Sequence, residues 1–218
     1  MGLARTSVRR LGARTLTAAV TLGSVAYFVL FACAPPAAMR PGTPMLSHQR
    51  NEFGMSASGG ARLDVDSSSS AGTGGGQIWY SSQQERMLDF GMVAYGGYTD
   101  RQYAGGGGLG ATIRVRIFER DSFRLAFDMS GGWLWGELGF PVAVRLVNGV
   151  WLYSAPSFGA MAGFDDILFV RPPVGLSVAL GRDWSLLAEL SPQIALFDGN
   201  GDTGAIWLRG SLGTTYRF

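Results

Sequence analysis

Few residues in this chain could do chemistry, and histidine is the scarcest of them. The only histidine is His48, and the only cysteine is Cys33. A serine or aspartate nucleophile usually works with a histidine base, and a zinc site of histidine and cysteine ligands needs several such residues. His48 lies in a proline- and alanine-rich stretch without regular pattern. The sequence therefore predicts no enzyme and no cofactor.

Oxygen ligands recur at alternate positions in one glycine-rich segment. Asp198, Asn200 and Asp202 are separated by single glycines, as at the opening of a calcium-binding loop. An EF-hand would require glycine in place of Thr203 and an acid in place of Arg209. Aspartate, asparagine and glycine are also the usual residues of tight loops. The segment is either a weak Ca²⁺ site or an ordinary loop.

Charged side chains form the third candidate group, because they recur at every second position. Those that lie opposite an apolar face are Arg114, Arg116, Arg124, Asp128, Glu189 and Arg209. Period-2 spacing places such residues on one side of extended strands. Two interpretations follow for an enclosed face of this kind: a salt-bridged polar core, or an anion-preferring path lined by arginines.

The strands that would position these residues alternate from Phe53 to the end of the chain, and we count ten. The clearest hairpin alternates from Leu109 to Ile117, turns at 119–122 and alternates again from Phe123 to Met129. Short turns are predicted near 83–86, 119–122, 147–149 and 181–183, and longer loops near 66–76, 99–108, 134–140, 155–170 and 197–203. This arrangement is typical of a transmembrane barrel. We predict an all-β, closed, antiparallel up-and-down barrel of ten strands, or eight if the two strands before residue 87 pack elsewhere.

The last residues carry the most specific signal in the chain. The tail Ser211-x-Gly213-x-x-Tyr216-x-Phe218 resembles the β-signal of Gram-negative outer-membrane β-barrels. In layout, about residues 52 to 218 look like the small OmpA/OmpX-type barrels. The resemblance implies a site in the cell outer membrane and contact with outer-membrane lipids. It also implies recognition of Gly213, Tyr216 and Phe218 by the barrel assembly machinery.

Alternation alone does not say which face points inward. A soluble lipocalin-like lipoprotein barrel, which binds an apolar ligand, would have its apolar face inside. Two observations favour the apolar face outside: the opposite face carries charges of both signs, and aromatic residues gather near strand ends. They are Phe118, Phe123, Trp184, Tyr216 and Phe218 near the turns, and Tyr98, Trp133, Trp135 and Phe197 near the loops. Two such bands are typical of the interfacial girdles of a membrane barrel.

The N-terminal region is predicted to be a targeting segment and a linker. Residues 1–33 contain four arginines, an apolar run and Leu30-Phe31-Ala32-Cys33, which resembles the lipobox of bacterial lipoproteins. That resemblance implies a signal peptide and lipidation at Cys33. Residues 34–51 form a Pro/Ala-rich linker, and 52–218 the barrel.

The charge balance excludes one class of partner. The chain after residue 33 has 14 arginines against 16 acids, a net charge of −2, so no nucleic-acid partner is predicted. The predicted role is structural, adhesive or that of a narrow pore, and the outer loops would be the surface for a protein partner. A ten-stranded lumen would leave a constriction at best, since eight strands are filled by side chains and a wide channel needs about sixteen.

Overall fold

The computed structural model describes residues 51–63, 72–85, 87–99, 104–132, 135–161, 167–198 and 206–218. Cys33, His48, the predicted signal peptide and most of the predicted linker lie outside this part, as do Asn200 and Asp202. Among the described residues, no helix is long and apolar enough to cross a membrane. Every regular element in this part of the chain is a β-strand.

The described residues form thirteen strands, joined mostly by short connections. They are β1 (Asn51–Leu63), β2 (Gly72–Glu85), β3 (Leu88–Thr99), β4 (Ala104–Glu119), β5 (Phe123–Gly132), β6 (Trp135–Gly139), β7 (Val142–Val147), β8 (Val150–Ser154), β9 (Ser157–Met161), β10 (Ile167–Arg171), β11 (Val174–Leu180), β12 (Trp184–Asp198) and β13 (Ile206–Arg217). Two of the turns depend on glycine with positive φ: Gly149 (81°) and Gly181 (92°).

Ten of these strands close into an antiparallel ring, which confirms the predicted fold class and the count of ten. The ring runs through β1 to β5, then β7, β8, β11, β12 and β13, and returns to β1. The strands before residue 87 belong to it, since β1 pairs with both β2 and β13. The alternative of eight strands is therefore wrong. The remaining strands, β6, β9 and β10, make a second path from β5 to β12.

Short proline-containing breaks separate β6 from β7, β8 from β9, and β10 from β11. The breaks contain Pro141, Pro156 and the pair Pro172-Pro173, respectively. The register along β5 is unchanged across the first: Asp128 lies opposite Gly139, and Leu125 lies opposite Val142. We call these three interruptions the proline breaks. They interrupt the ladder because proline has no N–H to donate. They lie at one level of the wall, since Ser157 is opposite both Gly139 and Arg171 in register.

Serine hydroxyls supply hydrogen bonds beside the proline breaks. Ser154 Oγ donates to the carbonyl oxygen of Pro173 (2.6 Å), and Ser157 Oγ donates to that of Arg171 (3.2 Å). Backbone bonds also continue into the breaks, since Phe140 N donates to Pro156 O (2.9 Å). The wall thus remains closed where the ladder is interrupted.

The two faces of the ring differ sharply in polarity. Leu212 and Met92 are 70% and 64% exposed on the outside, whereas Asp89 and Glu52 are fully buried on the inside. This confirms the apolar-out arrangement and contradicts the lipocalin-like alternative, in which apolar side chains would fill the interior.

Several predicted loops are partly strand. Gly72–Gly76 falls inside β2, Ala104–Gly108 inside β4, Trp135–Gly139 forms β6, and Ser157–Met161 and Ile167–Arg171 form β9 and β10. Trp135, expected in an aromatic band on the outside, is instead buried. Its ring lies over Gly132, where an added Cβ would meet the indole nitrogen at 2.3 Å.

Candidate functional site: the charged lumen

All six charged residues predicted for one face point into the ring. Arg114, Arg116, Asp128, Glu189 and Arg209 are buried, and Arg124 is half-buried. Buried charges are expensive unless each is paired and hydrogen-bonded. The contacts of these side chains therefore define the site.

The Arg114–Asp128 pair lies in the middle of the β4–β5 hairpin. The two residues are directly opposite in register. Arg114 Nε donates to Asp128 Oδ1 (2.6 Å), and Nη2 donates to Oδ2 (2.5 Å). This two-point contact matches the planar guanidinium to the planar carboxylate, so it fixes both side chains as well as neutralising them.

A chain of charges leads from this pair towards the turns. Arg116 donates to Asp89 on β3 (3.1 Å) and also lies 3.6 Å from Glu119 Oε2. Glu119 in turn pairs with Arg124 on β5, whose Nη2 lies 3.2 Å from Oε1. Opposite charges therefore alternate across three neighbouring strands.

Another ion pair crosses the proline-broken part of the wall. Arg171 Nη2 donates to Glu137 Oε1 (2.6 Å), and the single hydroxyl hydrogen of Ser157 is shared between that carboxylate oxygen and the carbonyl oxygen of Arg171. Glu137 was missed in the sequence because it lies in a predicted loop. Its alternation with Trp135 and Gly139 was the available signal. Glu189 on β12 faces Arg171 and Tyr153, and Arg209 on β13 also lies within electrostatic reach of Arg171.

A further ion pair lies where the ring closes. Glu52 and Arg217 are opposite each other on β1 and β13, and Arg217 Nε donates to Glu52 Oε2 (3.0 Å). The indole nitrogen of Trp79 donates to the other oxygen of Glu52 (3.2 Å). The backbones of Asn51 and Phe218 exchange two hydrogen bonds of 3.2 Å. The first and last described residues are thus joined directly.

Aromatic rings occupy much of the remaining interior, and each lies over a glycine of a neighbouring strand. An added Cβ would meet the Trp79 ring at 2.2 Å from Gly54, the Tyr153 ring at 2.3 Å from Gly175, and the Phe169 ring at 2.5 Å from Gly159. Glycine is needed at these positions because any side chain would displace the ring. Together with the ion pairs, the rings leave a constricted lumen.

The predicted assembly signal lies along the closing seam. A Cβ on Gly213 would come within 2.6 Å of the carbonyl oxygen of Met55, so β13 approaches β1 closely there. Tyr216 and Phe218 lie on the outside near the turns, with ring centroids 5.7 Å apart, and Trp184 lies 5.0 Å from Tyr216. Recognition by assembly machinery stays a prediction.

The described part of the chain does not test the predicted Ca²⁺ site. Asp198 ends β12, and the two other candidate ligands lie outside the described part of the chain. Among the residues described, no cluster of three or more acidic, histidine or cysteine side chains could hold a metal ion.

Solved structures of outer-membrane barrels resemble this ring. An outer membrane channel from Pseudomonas putida F1 matches with a TM-score of 0.58 and 9% identity, over 83% of this chain and 100% of that one. The chain has the fold of an outer-membrane β-barrel. A bilayer requires that such a ring be closed and apolar on its outside. This ring meets both conditions, and its paired charged side chains lie inside it. This places the barrel in the cell outer membrane.

Two further structures show weaker similarity. The translocator domain of the autotransporter NalP from Neisseria meningitidis matches at 10% identity and a TM-score of 0.48, over 96% of this chain and 98% of that one. Ail, the attachment invasion locus protein of Yersinia pestis, matches at 11% identity and a TM-score of 0.39, over 78% and 99%. No protein-family model and no curated protein matches the chain. The fold assignment therefore rests on the channel from Pseudomonas.

Proposed function

We propose that the barrel is a narrow outer-membrane pore for small polar solutes, and that side chains close it in this structure. The observation that supports this proposal is the interior face, where buried arginines and acids recur between the turn end and the proline breaks. The structural neighbour with the same fold is described as an outer membrane channel, which agrees with a pore.

A purely structural barrel would gain little from such an interior. Replacing a buried ion pair with well-packed apolar residues is often neutral or stabilising, because desolvation offsets the attraction between the charges. Pairs such as Arg114–Asp128 and Arg171–Glu137 therefore need a reason other than stability, and the reason that we propose is a polar lining for a narrow path through the ring. The outer loops, on which an adhesive role would depend, lie mostly outside the described residues.

Single-channel recording in planar bilayers tests the pore, and Tyr153 offers the sharpest variant. Tyr153 is buried in the lumen, whereas its neighbour Leu152 points outwards. We expect brief steps of low conductance from the native chain, and larger steps from Tyr153→Ala because it removes a ring from the constriction. Leu152→Ala, the matched control, should behave like the native chain.

The absence of conductance steps in these recordings would contradict the proposal. If neither the native chain nor Tyr153→Ala gives conductance steps while both are folded, the lumen is a structural core. A larger conductance from Leu152→Ala than from Tyr153→Ala would also contradict it, since the outer face would then control the current.

We also propose that Cys33 is lipidated and that removal of residues 1–32 leaves it as the first residue of the mature protein, on the strength of the lipobox-like sequence Leu30-Phe31-Ala32-Cys33. Mass spectrometry of the mature N-terminus tests this. A diacylglyceryl mass on Cys33 is expected, and an unmodified N-terminus at another residue would refute lipidation. Outer-membrane lipids and the barrel assembly machinery are the partners that this route implies.

A further inference from the structure

The turn end of the lumen contains a partly open cavity of about 240 Å³. We call it the turn-side chamber. Its lining includes Arg124, Arg145, Trp151, Ser177, Ser185 and Arg217, which come from six different strands, and one carboxylate, Asp121, from the turn between β4 and β5. One water needs only about 10–15 Å³ of such space, so a small organic or inorganic ion fits in the chamber.

Arg124 is held in place by an aromatic ring and a carboxylate. Its guanidinium carbon lies 4.6 Å from the centre of the Trp151 ring, and its Nη2 lies 3.2 Å from Glu119. Cation–π contact over tryptophan fixes the plane of the guanidinium. The charges of Arg116, Arg145 and Arg217 all lie near enough to repel that of Arg124.

Arg217 is also fixed on the chamber wall. Its Nε donates to Glu52 and its Nη1 donates to Ser185 Oγ (3.2 Å), which uses two of its five N–H groups. Ser185 and Ser177 are buried. Their hydroxyl groups can rotate to donate to a ligand.

Arg145 differs from the other two arginines. It lies opposite Trp151 in register and is exposed at the chamber. Within the described part of the chain it has no ion-pair partner. The chamber therefore offers one guanidinium without an ion pair beside two that are already oriented, so three arginines line it against the single carboxylate of Asp121.

We propose that the turn-side chamber binds a small oxyanion of the carboxylate or phosphate type. Planar guanidinium groups match such oxygens two at a time, and a ligand anion would relieve the repulsion among the clustered arginines. A cation would be repelled by them. An apolar ligand would leave the serines and arginines without hydrogen-bond partners. It would also find the Trp151 ring already covered by Arg124. This site does not require that solutes cross the barrel.

Calorimetric titration of the folded full-length chain in detergent, with inorganic phosphate or succinate in a chloride buffer, tests the site. We expect saturable binding of at least one anion at millimolar concentration. Arg145→Gln should weaken it about tenfold, which is the usual effect of losing one charged hydrogen bond. The matched control is Arg120→Gln, because Arg120 lies over the Phe118 ring and does not line the chamber.

Absence of saturable heat with both anions would overturn the proposal. So would equal affinities in Arg145→Gln and Arg120→Gln, because binding would then reflect general charge. Resistance of each variant to unfolding at room temperature, read from gel migration without heating, confirms that the fold is intact. If the chain conducts ions but binds neither anion, the pore proposal stands and the anion site is rejected. If it binds an anion but does not conduct, the anion site stands and the pore proposal is rejected.

Discussion

Single residues in this barrel act in pairs, so a substitution is best judged by the partner that it leaves behind. Arg114 is 2% exposed and depends on Asp128 for neutralisation. Gly213 has no side chain, and β1 can approach β13 closely only because that side chain is absent. The first case is electrostatic and the second is steric, and each has a matched control elsewhere in the chain.

Asp128→Asn should lower the free energy of unfolding by about 3–5 kcal/mol, because it leaves the buried Arg114 without its counter-charge. Urea unfolding in detergent, followed by tryptophan fluorescence, measures the change. Asp121→Asn, in an exposed turn, should change it by less than about 0.5 kcal/mol. Similar effects at the two positions would show that Arg114 is not held by Asp128.

Gly213→Val should prevent efficient closure of the ring, because its Cβ would lie 2.6 Å from the Met55 carbonyl oxygen and 2.8 Å from the Ser56 Cβ. The control is Gly210→Val on the same strand, where nothing lies within 4 Å of an added Cβ. We expect refolding from urea into detergent, followed by circular dichroism, to fail for the first variant and succeed for the second. Equal refolding yields would rule out a steric role for Gly213.

At the scale of elements, the proline breaks are the part of the wall with the fewest backbone donors. Phe140 N donates to Pro156 O, and in an antiparallel hydrogen-bonded pair the two residues exchange both bonds. Proline at 156 cannot make the second bond. The Phe140 carbonyl therefore loses a donor at a level of the wall where water is scarce.

Pro156→Val should raise the free energy of unfolding by about 1 kcal/mol, since it supplies the missing N–H and a side chain suited to strands. Pro156 lies on the outer face and is exposed, so valine meets no lumen residue. Pro156→Gly supplies the same donor without the side chain and should gain less. A lower urea midpoint for the valine variant would mean that the break itself is needed for the fold.

The same elements show how far the sequence could predict the structure. Alternation located the charged face on β4 and β5, because apolar and charged residues there differ strongly. It failed in Thr73–Gly76, where glycines resemble a loop and yet the segment pairs with β3. Gly74 is needed there for the Tyr98 ring, which an added Cβ would meet at 2.7 Å. Glu137 was missed because proline and glycine around it predict a loop, while contacts distant in sequence keep β6 in the wall.

At the scale of the whole molecule, the bilayer determines which substitutions the exterior tolerates. Leu176 and Leu180 both point outwards on β11, and Leu180 adjoins the turn at Gly181. Leu176→Arg should cost about 2–4 kcal/mol, and Leu180→Arg less than about 1 kcal/mol, because the penalty falls near the interface. Reversible unfolding in lipid vesicles compares the two. Equal losses of unfolding free energy in the two variants would argue that Leu176 and Leu180 do not lie at different depths in the bilayer.

The claim on which the rest depends is that this ring spans the outer membrane with its apolar face towards lipid. Gel migration of the chain, extracted with detergent from isolated outer membranes, tests it directly. We expect the unheated sample to migrate differently from the boiled one, because a closed barrel resists unfolding by detergent at room temperature. A chain released from membranes by high salt alone, with the same migration before and after boiling, would contradict the account.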